Sequence, residues 1–229
     1  MKYIIIGLGN YGRVLAEELS ALGHEIIGVD QNEHRVNVLK ETIAISYILD
    51  VEEEAALSVL PLNNVDAVMV CIGENFGASI RVVAMLKKLE VKHIFARAID
   101  ATHKAILEAF SIEKILAPEE EAARIFVQRL DFGHTIDSMQ IDSESYVIKF
   151  TIPDSFSGLK VKDLNLQNEF NIEIIAVQHV VEDKNILGIK SSQYKTITSD
   201  SLKVESLVKG DKLVCIGKYK DFQVLWNSL

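Results

Sequence analysis

The chain contains 229 residues, of which 48% are hydrophobic and 25% are charged, the balance of an ordinary globular protein. Its formal net charge of −9 argues against a nucleic-acid-binding protein, because phosphate contacts require a basic face. No apolar stretch approaches the roughly 20 residues that span a bilayer, and the N-terminus lacks the pattern of an export signal. We therefore expect an acidic globular protein with one large domain or two modest ones.

Short apolar runs alternate with amphipathic helical patterns in the first half of the chain. Several of these runs are apolar throughout, as expected when helices cover both faces of a parallel sheet. The predicted strands are Lys2–Ile6, Glu25–Val29, Ile43–Ile48, Ala67–Ile72, His93–Ala96 and Lys114–Leu116. The predicted helices are Tyr11–Leu22, Glu33–Lys40, Glu52–Leu60, Phe76–Leu89 and Ala101–Phe110. This alternation predicts an α/β fold, a doubly wound parallel sheet of the Rossmann type.

The second half has a different pattern. Pro118 opens a further predicted helix that reaches about Leu130, because proline and the acidic residues after it suit the first turn of a helix. After a break at Asp131-Phe132-Gly133-His134, strands dominate. They are predicted at Ser145–Thr151, Glu173–His179 and Lys212–Ile216. We expect residues 1–134 to form a nucleotide-binding domain that includes the helix, and residues 135–229 a small α+β domain.

A glycine motif follows the first predicted strand directly and opens the first predicted helix. It reads Gly7-Leu8-Gly9-Asn10-Tyr11-Gly12, the G-x-G-x-x-G pattern of dinucleotide-binding sites. Gly7 permits a tight turn, Gly9 lets the backbone approach a pyrophosphate, and Gly12 allows the helix to pack closely on the strand. The free amides of the helix would face the phosphates. The alternative is a glycine turn without a ligand.

Polar residues at the carboxyl ends of the following strands complete the candidate site, because ligands bind at this edge of such sheets. Asp30 lies 18 residues after Gly12, where an acid would bond to ribose hydroxyls and disfavour NADP; helix capping is the alternative. Asp50 would reach the adenosine side or cap a helix. Glu74-Asn75 and Arg97 lie at the same edge, and Arg97 would contact a phosphate or lie solvated on the surface.

Eight segments together resemble the regulator-of-potassium-conductance (RCK or KTN) domains, and most closely the stand-alone gating subunits of Trk/Ktr-type potassium uptake systems. The resemblance covers nearly the whole chain in the family's domain order. In the first half the segments are GLGNYG, GVDQNEHRV, VMVCIGEN, IFARA and ILAPEEEAA. In the second half they are IPDSFSGLKVKDLNL, NIEIIAVQH and VKGDKLVCIG.

The resemblance implies a cytoplasmic homo-oligomer, a ring of dimeric units on the inner face of the membrane, that binds a separate membrane-embedded potassium-translocating subunit. It implies that NAD(H) or ATP/ADP in the Rossmann cleft changes the shape of the ring and thereby gates that subunit, with no catalytic residues. The implied nucleotide contacts are Gly7, Gly9, Asn10, Tyr11, Gly12, Asp30, Asp50, Asn75 and Arg97. Glu119 matches an acid near intersubunit cation sites, and the C-terminal domain would take a second small-molecule ligand.

One position departs from the pattern of the family. Some ATP-preferring members have arginine where this sequence has Asn10, and that arginine reaches the terminal phosphate. Arg13 lies one helical turn further along, which leaves the choice between ATP and NAD open.

Two other functions compete with a potassium uptake regulator. An NAD-dependent oxidoreductase would need an acid–base residue and a substrate clamp in the second half, which offers only His179 and contains no arginine. Regulators of potassium efflux or cation antiport systems share the same organisation, and the sequence does not separate them from uptake regulators.

Cysteines and the remaining histidines give no metal-site spacing. We interpret Cys71 and Cys215, each inside an apolar run, as buried core thiols in a reducing cytosol. The histidines are expected at the surface or at strand ends; they are His24, His34, His93, His103 and His134.

Overall fold

The computed structural model describes residues 1–131, 136–184, 190–198, 202 and 205–229. These residues form two compact units, Met1–Glu120 and Glu121–Leu229. The predicted domain boundary after residue 134 lies outside the described residues and stays a prediction.

The first unit is built on one sheet of six parallel strands with helices between them. The strands are β1 (Lys2–Ile6), β2 (Glu25–Asp30), β3 (Ile45–Ile48), β4 (Ala67–Val70), β5 (Ile94–Arg97) and β6 (Lys114–Leu116). The helices are α1 (Asn10–Ala21), α2 (Glu33–Leu39), α3 (Glu54–Leu57), α4 (Phe76–Lys88) and α5 (Ala101–Ala109). Helix α6 (Pro118–Asp131) begins in this unit, and most of its residues belong to the second unit. The strand order is β3-β2-β1-β4-β5-β6, and every neighbouring pair is parallel. The predicted doubly wound α/β fold is confirmed.

Both faces of this sheet are covered, which explains the run of three buried isoleucines, Ile4–Ile6, in β1. Ile5 packs with Ala16 of α1 and the buried side chains of α2 on one face. Ile4 and Ile6 point to the other face, where they pack with residues of α4 and α5 such as Leu86. Because successive side chains of a strand alternate between faces, a strand buried on both sides has no polar positions.

The second unit is a five-stranded antiparallel sheet with short helices. Its strands are β7 (Ile136–Gln140), β8 (Ser145–Thr151), β9 (Glu173–Lys184), β10 (Lys190–Ile197) and β11 (Lys212–Lys218), in the order β10-β9-β11-β8-β7. Its helices are α7 (Leu166–Phe170) and α8 (Tyr219–Ser228). Phe222 and Leu225 of α8 are buried in the core with Phe150 of β8. The predicted small α+β domain is confirmed.

Burial confirms one sequence prediction and corrects another. Cys71 and Cys215 are both buried free thiols, as predicted. His103 was expected at the surface or at a strand end but is fully buried on α5, because the residue faces the core side of its helix beside Leu107. His134 lies outside the described residues. None of the helices in the described part of the chain has the length and apolarity needed to cross a bilayer.

Candidate functional site

The turn after β1 places the glycine motif at the carboxyl edge of the sheet. Gly7 has a φ of 93°, a left-handed conformation that side chains other than glycine rarely adopt. Its N–H donates to the carbonyl of Val29 at 2.8 Å, which ties the turn to β2. A Cβ on Gly7 would lie 3.0 Å from the backbone of Cys71 after β4, so the turn is held closely on both sides.

Gly9 and Gly12 have opposite surroundings. A Cβ on Gly12 would overlap the carbonyl oxygen of Gly7, so the packing of α1 on β1 requires glycine there. A Cβ on Gly9 would meet no atom within 4 Å, and its φ of −64° suits any residue. The protein's own packing therefore does not explain glycine at position 9, whereas the close approach of a pyrophosphate does.

The first turn of α1 begins within the glycine motif and has no capping side chain among the described residues. Gly9 is the N-cap residue, and in the described part of the chain no side chain caps this helix. By contrast, Asn or Asp side chains cap three other helices of this unit; they are Asn32 for α2, Asn75 for α4 and Asp100 for α5. The positive end of a helix without a capping side chain favours an anion.

Asp30 is buried at the end of β2 and holds the glycine turn. Its carboxylate accepts the N–H of Leu8 at 2.7 Å and the N–H of Asn32 at 2.8 Å. The alternative of helix capping is excluded for Asp30, because Asn32 is the residue that caps α2. A carboxylate already fixed beside the glycine motif is arranged to accept a ribose hydroxyl and to repel a 2′-phosphate.

Asp50 and Asn75 already make bonds to their own chain. Asp50 is exposed and accepts the N–H of Glu52 at 3.0 Å, a turn rather than a helix cap, since α3 begins at Glu54. Asn75 accepts the N–H of Ala78 at 3.0 Å and caps α4, while its amide donates to Glu52 at 3.3 Å. Both lie at the predicted edge of the sheet, and the contact of either with a nucleotide stays a prediction.

Arg97 reaches from the end of β5 toward the glycine motif. Its Cζ lies 5.7 Å from the ring centre of Tyr11, in the first turn of α1. Its Nη2 donates to the carboxylate of Glu119 in the first turn of α6. The structure thus brings together three of the predicted site residues that are far apart in the sequence. The alternative of a solvated surface arginine is wrong, because the side chain is only 19% exposed.

Glu119 was also predicted, from the resemblance, as a cation ligand. Its carboxylate instead contacts a guanidinium, and the described residues contain no group of three His, Cys, Asp or Glu side chains that could hold a metal ion. Cation binding by Glu119 stays a prediction without support from the single chain.

Three charged residues at the same edge were not among the predicted contacts. Arg35 donates to Glu74 at 2.8 Å and lies 3.7 Å from Asp30, and Arg81 bonds to Glu52. The pairs Arg35–Glu74 and Arg81–Glu52 join residues 39 and 29 positions apart, so no local spacing in the sequence could have revealed them. Arg13, considered as a substitute phosphate ligand, is paired with Glu17 at 2.7 Å.

In the second unit, His179 lies between two carboxylates. Its Nδ1 is 2.7 Å from Oδ2 of the buried Asp211, and its Nε2 is 3.3 Å from Oε2 of Glu205. Asp211 also accepts the N–H of Val208 at 2.7 Å. Both ring nitrogens thus have partners within the protein, an arrangement that fixes the loop before β11 to β9.

A parallel sheet of this strand order with a glycine turn after its first strand defines the Rossmann-type class of domain. Within this class, residues 3–118 match the TrkA-N domain family, and the chain belongs to that family. The resemblance seen in the sequence is confirmed by this match.

The chain is similar to two potassium uptake proteins of Bacillus subtilis (strain 168). It is 28% identical to Ktr system potassium uptake protein A over 178 residues, which is 78% of this chain and 80% of that protein. It is 26% identical to Ktr system potassium uptake protein C over 220 residues, which is 96% of this chain and 93% of that protein.

Solved structures of GsuK share the fold. The GsuK RCK domain superposes with a TM-score of 0.62 at 14% identity, covering 99% of this chain and 47% of that one. The GsuK channel bound to NAD superposes with a TM-score of 0.61 at 15% identity, covering 96% of this chain and 38% of that one. The chain thus spans less than half the length of these GsuK chains.

Proposed function

We propose that this protein is a nucleotide-binding regulatory subunit of a potassium uptake system and not an enzyme. The observation that carries the proposal is the similarity to Ktr protein C over 96% of this chain. The proposed ligand is NAD(H) or ATP/ADP, bound with its phosphates over Gly7–Gly12 and a ribose on Asp30. The open space at Gly9 and the uncapped first turn of α1 in the described structure support this position. The GsuK channel bound to NAD supports the class of ligand.

The regulatory action needs a second protein and two conformations. A ligand shifts an equilibrium only by its difference in affinity for the two states. We propose that the chain assembles into a cytoplasmic homo-oligomer on the inner face of the membrane. Nucleotide exchange in its clefts would then change the arrangement of subunits and gate a membrane-embedded potassium-translocating partner.

An NAD-dependent oxidoreductase has less support. The second half contains no arginine that could clamp an acidic substrate. Its candidate base, His179, has both ring nitrogens next to carboxylates of the protein. We expect no steady consumption of NADH with hydroxy-acid or aldehyde pairs. Turnover that a Gly9→Asp variant lacks would contradict the proposal that the protein is not an enzyme.

The function is tested by reconstituting the full chain with a potassium-translocating partner in liposomes. Potassium flux is measured with NADH, NAD, ATP and ADP for the wild-type protein and for Gly9→Asp. We expect flux to depend on the nucleotide only in the wild type, because the new carboxylate would occupy the space of the pyrophosphate and repel it. Flux that is indifferent to every nucleotide in the wild type would contradict the proposal.

A matched control is Leu22→Asp, which adds the same charge at the far, exposed end of α1. This variant should keep the wild-type response. Asp30→Ala tests the ribose contact, and its unfolding free energy must be measured as well, because Asp30 also holds the glycine turn. Parallel reconstitutions with an efflux channel and with a cation antiporter distinguish the three kinds of membrane partner that the sequence left open: an uptake system, an efflux system and a cation antiporter.

A further inference from the structure

The guanidinium of Arg97 lies at the edge of the sheet where we propose that the nucleotide binds. It ends β5, and its guanidinium passes over Gly73, where a Cβ would lie 2.6 Å from Nη1. Gly73 follows β4, which neighbours β1 in the sheet. The crevice between β1 and β4 is the point at which the strand order reverses, where ligands bind in sheets of this class. The contact with the ring of Tyr11 places the guanidinium beside the first turn of α1.

The hydrogen bonds of Arg97 are incomplete. Among the described residues, its Nε is buried without a hydrogen-bond partner. Its Nη2 bonds to Glu119, whose side chain is 65% exposed although that of Arg97 is 19% exposed. A buried donor without a partner is costly, whereas an exposed carboxylate returns to water at little cost. The cation is therefore fixed and its counter-ion is easily removed.

We propose that Glu119 is a displaceable counter-ion of Arg97, which leaves the guanidinium when a nucleotide phosphate binds in the cleft. This inference rests on the proposed nucleotide site and adds how that site tells its ligands apart. A phosphate carries more negative charge than a carboxylate and offers several oxygens to the planar fork of an arginine. The exchange therefore favours ligands with more phosphate charge over adenosine alone.

The exchange also links nucleotide binding in the cleft to helix α6. Glu119 lies in the first turn of α6, and the second compact unit begins at Glu121 on the same helix. Coupling between two contacts is reciprocal. If a bound phosphate weakens the pairing of Arg97 with Glu119, that pairing weakens the binding of the phosphate to the same extent. Occupancy of the cleft thus frees the start of α6.

The test measures binding of adenosine, AMP, ADP and ATP by calorimetry to the full chain, with a chelator present. Glu119→Gln removes the competing charge, so we expect ADP and ATP to bind roughly two- to fivefold tighter, the range of an exposed ion pair, with no change for adenosine. Glu120→Gln is the matched control, because Glu120 is the next residue and lies 3.7 Å from Lys104 instead. Its affinities should equal those of the wild type.

A second variant, Arg97→Gln, completes a double-mutant cycle with Glu119→Gln. ADP should bind about tenfold more weakly, since a hydrogen bond to a charged group is lost. In that background, Glu119→Gln should have no further effect, because the group for which it competes is gone.

The possible failures are distinct. Wild-type binding that Gly9→Asp abolishes but Glu119→Gln leaves unchanged would overturn the exchange and leave the nucleotide site intact. Weaker binding by Glu119→Gln that appears only with added Mg²⁺ or Ca²⁺ would make Glu119 a cation ligand and also overturn the exchange. A wild-type protein that binds none of the four compounds would overturn both the exchange and the proposed function.

Discussion

Gly12 lies directly against Gly7, so that a Cβ on Gly12 would overlap the carbonyl oxygen of Gly7. The third glycine of the motif thus serves the fold, because α1 packs on the end of β1 at this point. Gly9, two residues after Gly7, faces open space instead. The same motif therefore contains one glycine that close packing requires and one that steric packing does not require.

The first prediction separates these two roles. Gly12→Ala should lower the free energy of unfolding by about 1–3 kcal/mol, because the added methyl forces α1 away from the sheet. Gly9→Ala should change it by less than about 1 kcal/mol, yet weaken ADP binding where the pyrophosphate approaches the backbone. Urea unfolding and calorimetry measure the two effects. A Gly9→Ala protein with wild-type affinity would show that the phosphates lie elsewhere.

The second prediction concerns pH and the buried His103. Burial lowers the pKa of its imidazole from 6.5, although the nearby Asp100 opposes this shift. As the pH falls through the ordinary value, the unfolded chain takes up a proton that the folded protein does not, so stability decreases. We expect the free energy of unfolding to fall between about pH 7 and about pH 5, and His103→Asn to remove part of that decrease.

The control for this prediction is His34→Asn, since His34 is exposed on α2. It should leave the pH dependence close to that of the wild type. An unchanged pH dependence in His103→Asn would mean that other groups cause the loss of stability in acid.

The third prediction concerns the contacts of Asp211 in the second unit. Asp211→Ala should destabilise this unit by about 1–3 kcal/mol, because it leaves the N–H of Val208 without its acceptor and removes one partner of His179. Glu205→Gln is the milder comparison, since its contact with His179 is longer, at 3.3 Å. The single tryptophan, Trp226, lies on α8, so its fluorescence follows the unfolding of this unit. Equal stability of the Asp211→Ala and Glu205→Gln variants would contradict the central role of Asp211.

The fourth prediction concerns the exposed apolar residues of α6 as a contact between copies of the chain. Phe126 is 60% exposed and Leu130 56% exposed on the single chain, so both apolar side chains are accessible for a contact with another copy. Phe126→Glu combined with Leu130→Glu should reduce the mass in solution, measured by sedimentation at micromolar concentration, because charges would face a buried contact. Val224→Glu, on the exposed face of α8, should not. A monomeric wild-type protein would contradict the homo-oligomer.

The sheet of the first unit could be predicted because its inner strands β1, β2 and β4 contain apolar runs that are buried on both faces. β1 and β6 have the bounds that the sequence indicated, and β2 differs by one residue. In the second unit, the polar sequence of β10 (Lys190–Ile197) gave no strand signal, since one face of an edge strand is solvated. Helix α8 was missed because its apolar residues, such as Phe222 and Leu225, give too short a periodic run.

The candidate site was predicted as far as local chemistry allows. The glycine motif and Asp30 are defined by their distance from strand ends, which the sequence contains directly. The pairing of Arg97 with Glu119 and its contact with Tyr11 depend on how three separate strand–helix connections meet at one edge. No spacing along the chain encodes such a meeting.

The chemical reactivity of the two buried cysteines reports local opening of the structure around each of them. Burial raises the pKa of the Cys71 thiol to about 12, against a small opposing effect of Arg97, and burial also raises the pKa of Cys215. A shielded, protonated thiol does not react with alkylating reagents, so modification waits until the surrounding structure opens. Because each compact unit contains one of the two cysteine thiols, the labelling rate of each cysteine reports the opening of its own unit. A nucleotide that binds over the glycine motif should slow the labelling of Cys71 and leave the labelling rate of Cys215 unchanged.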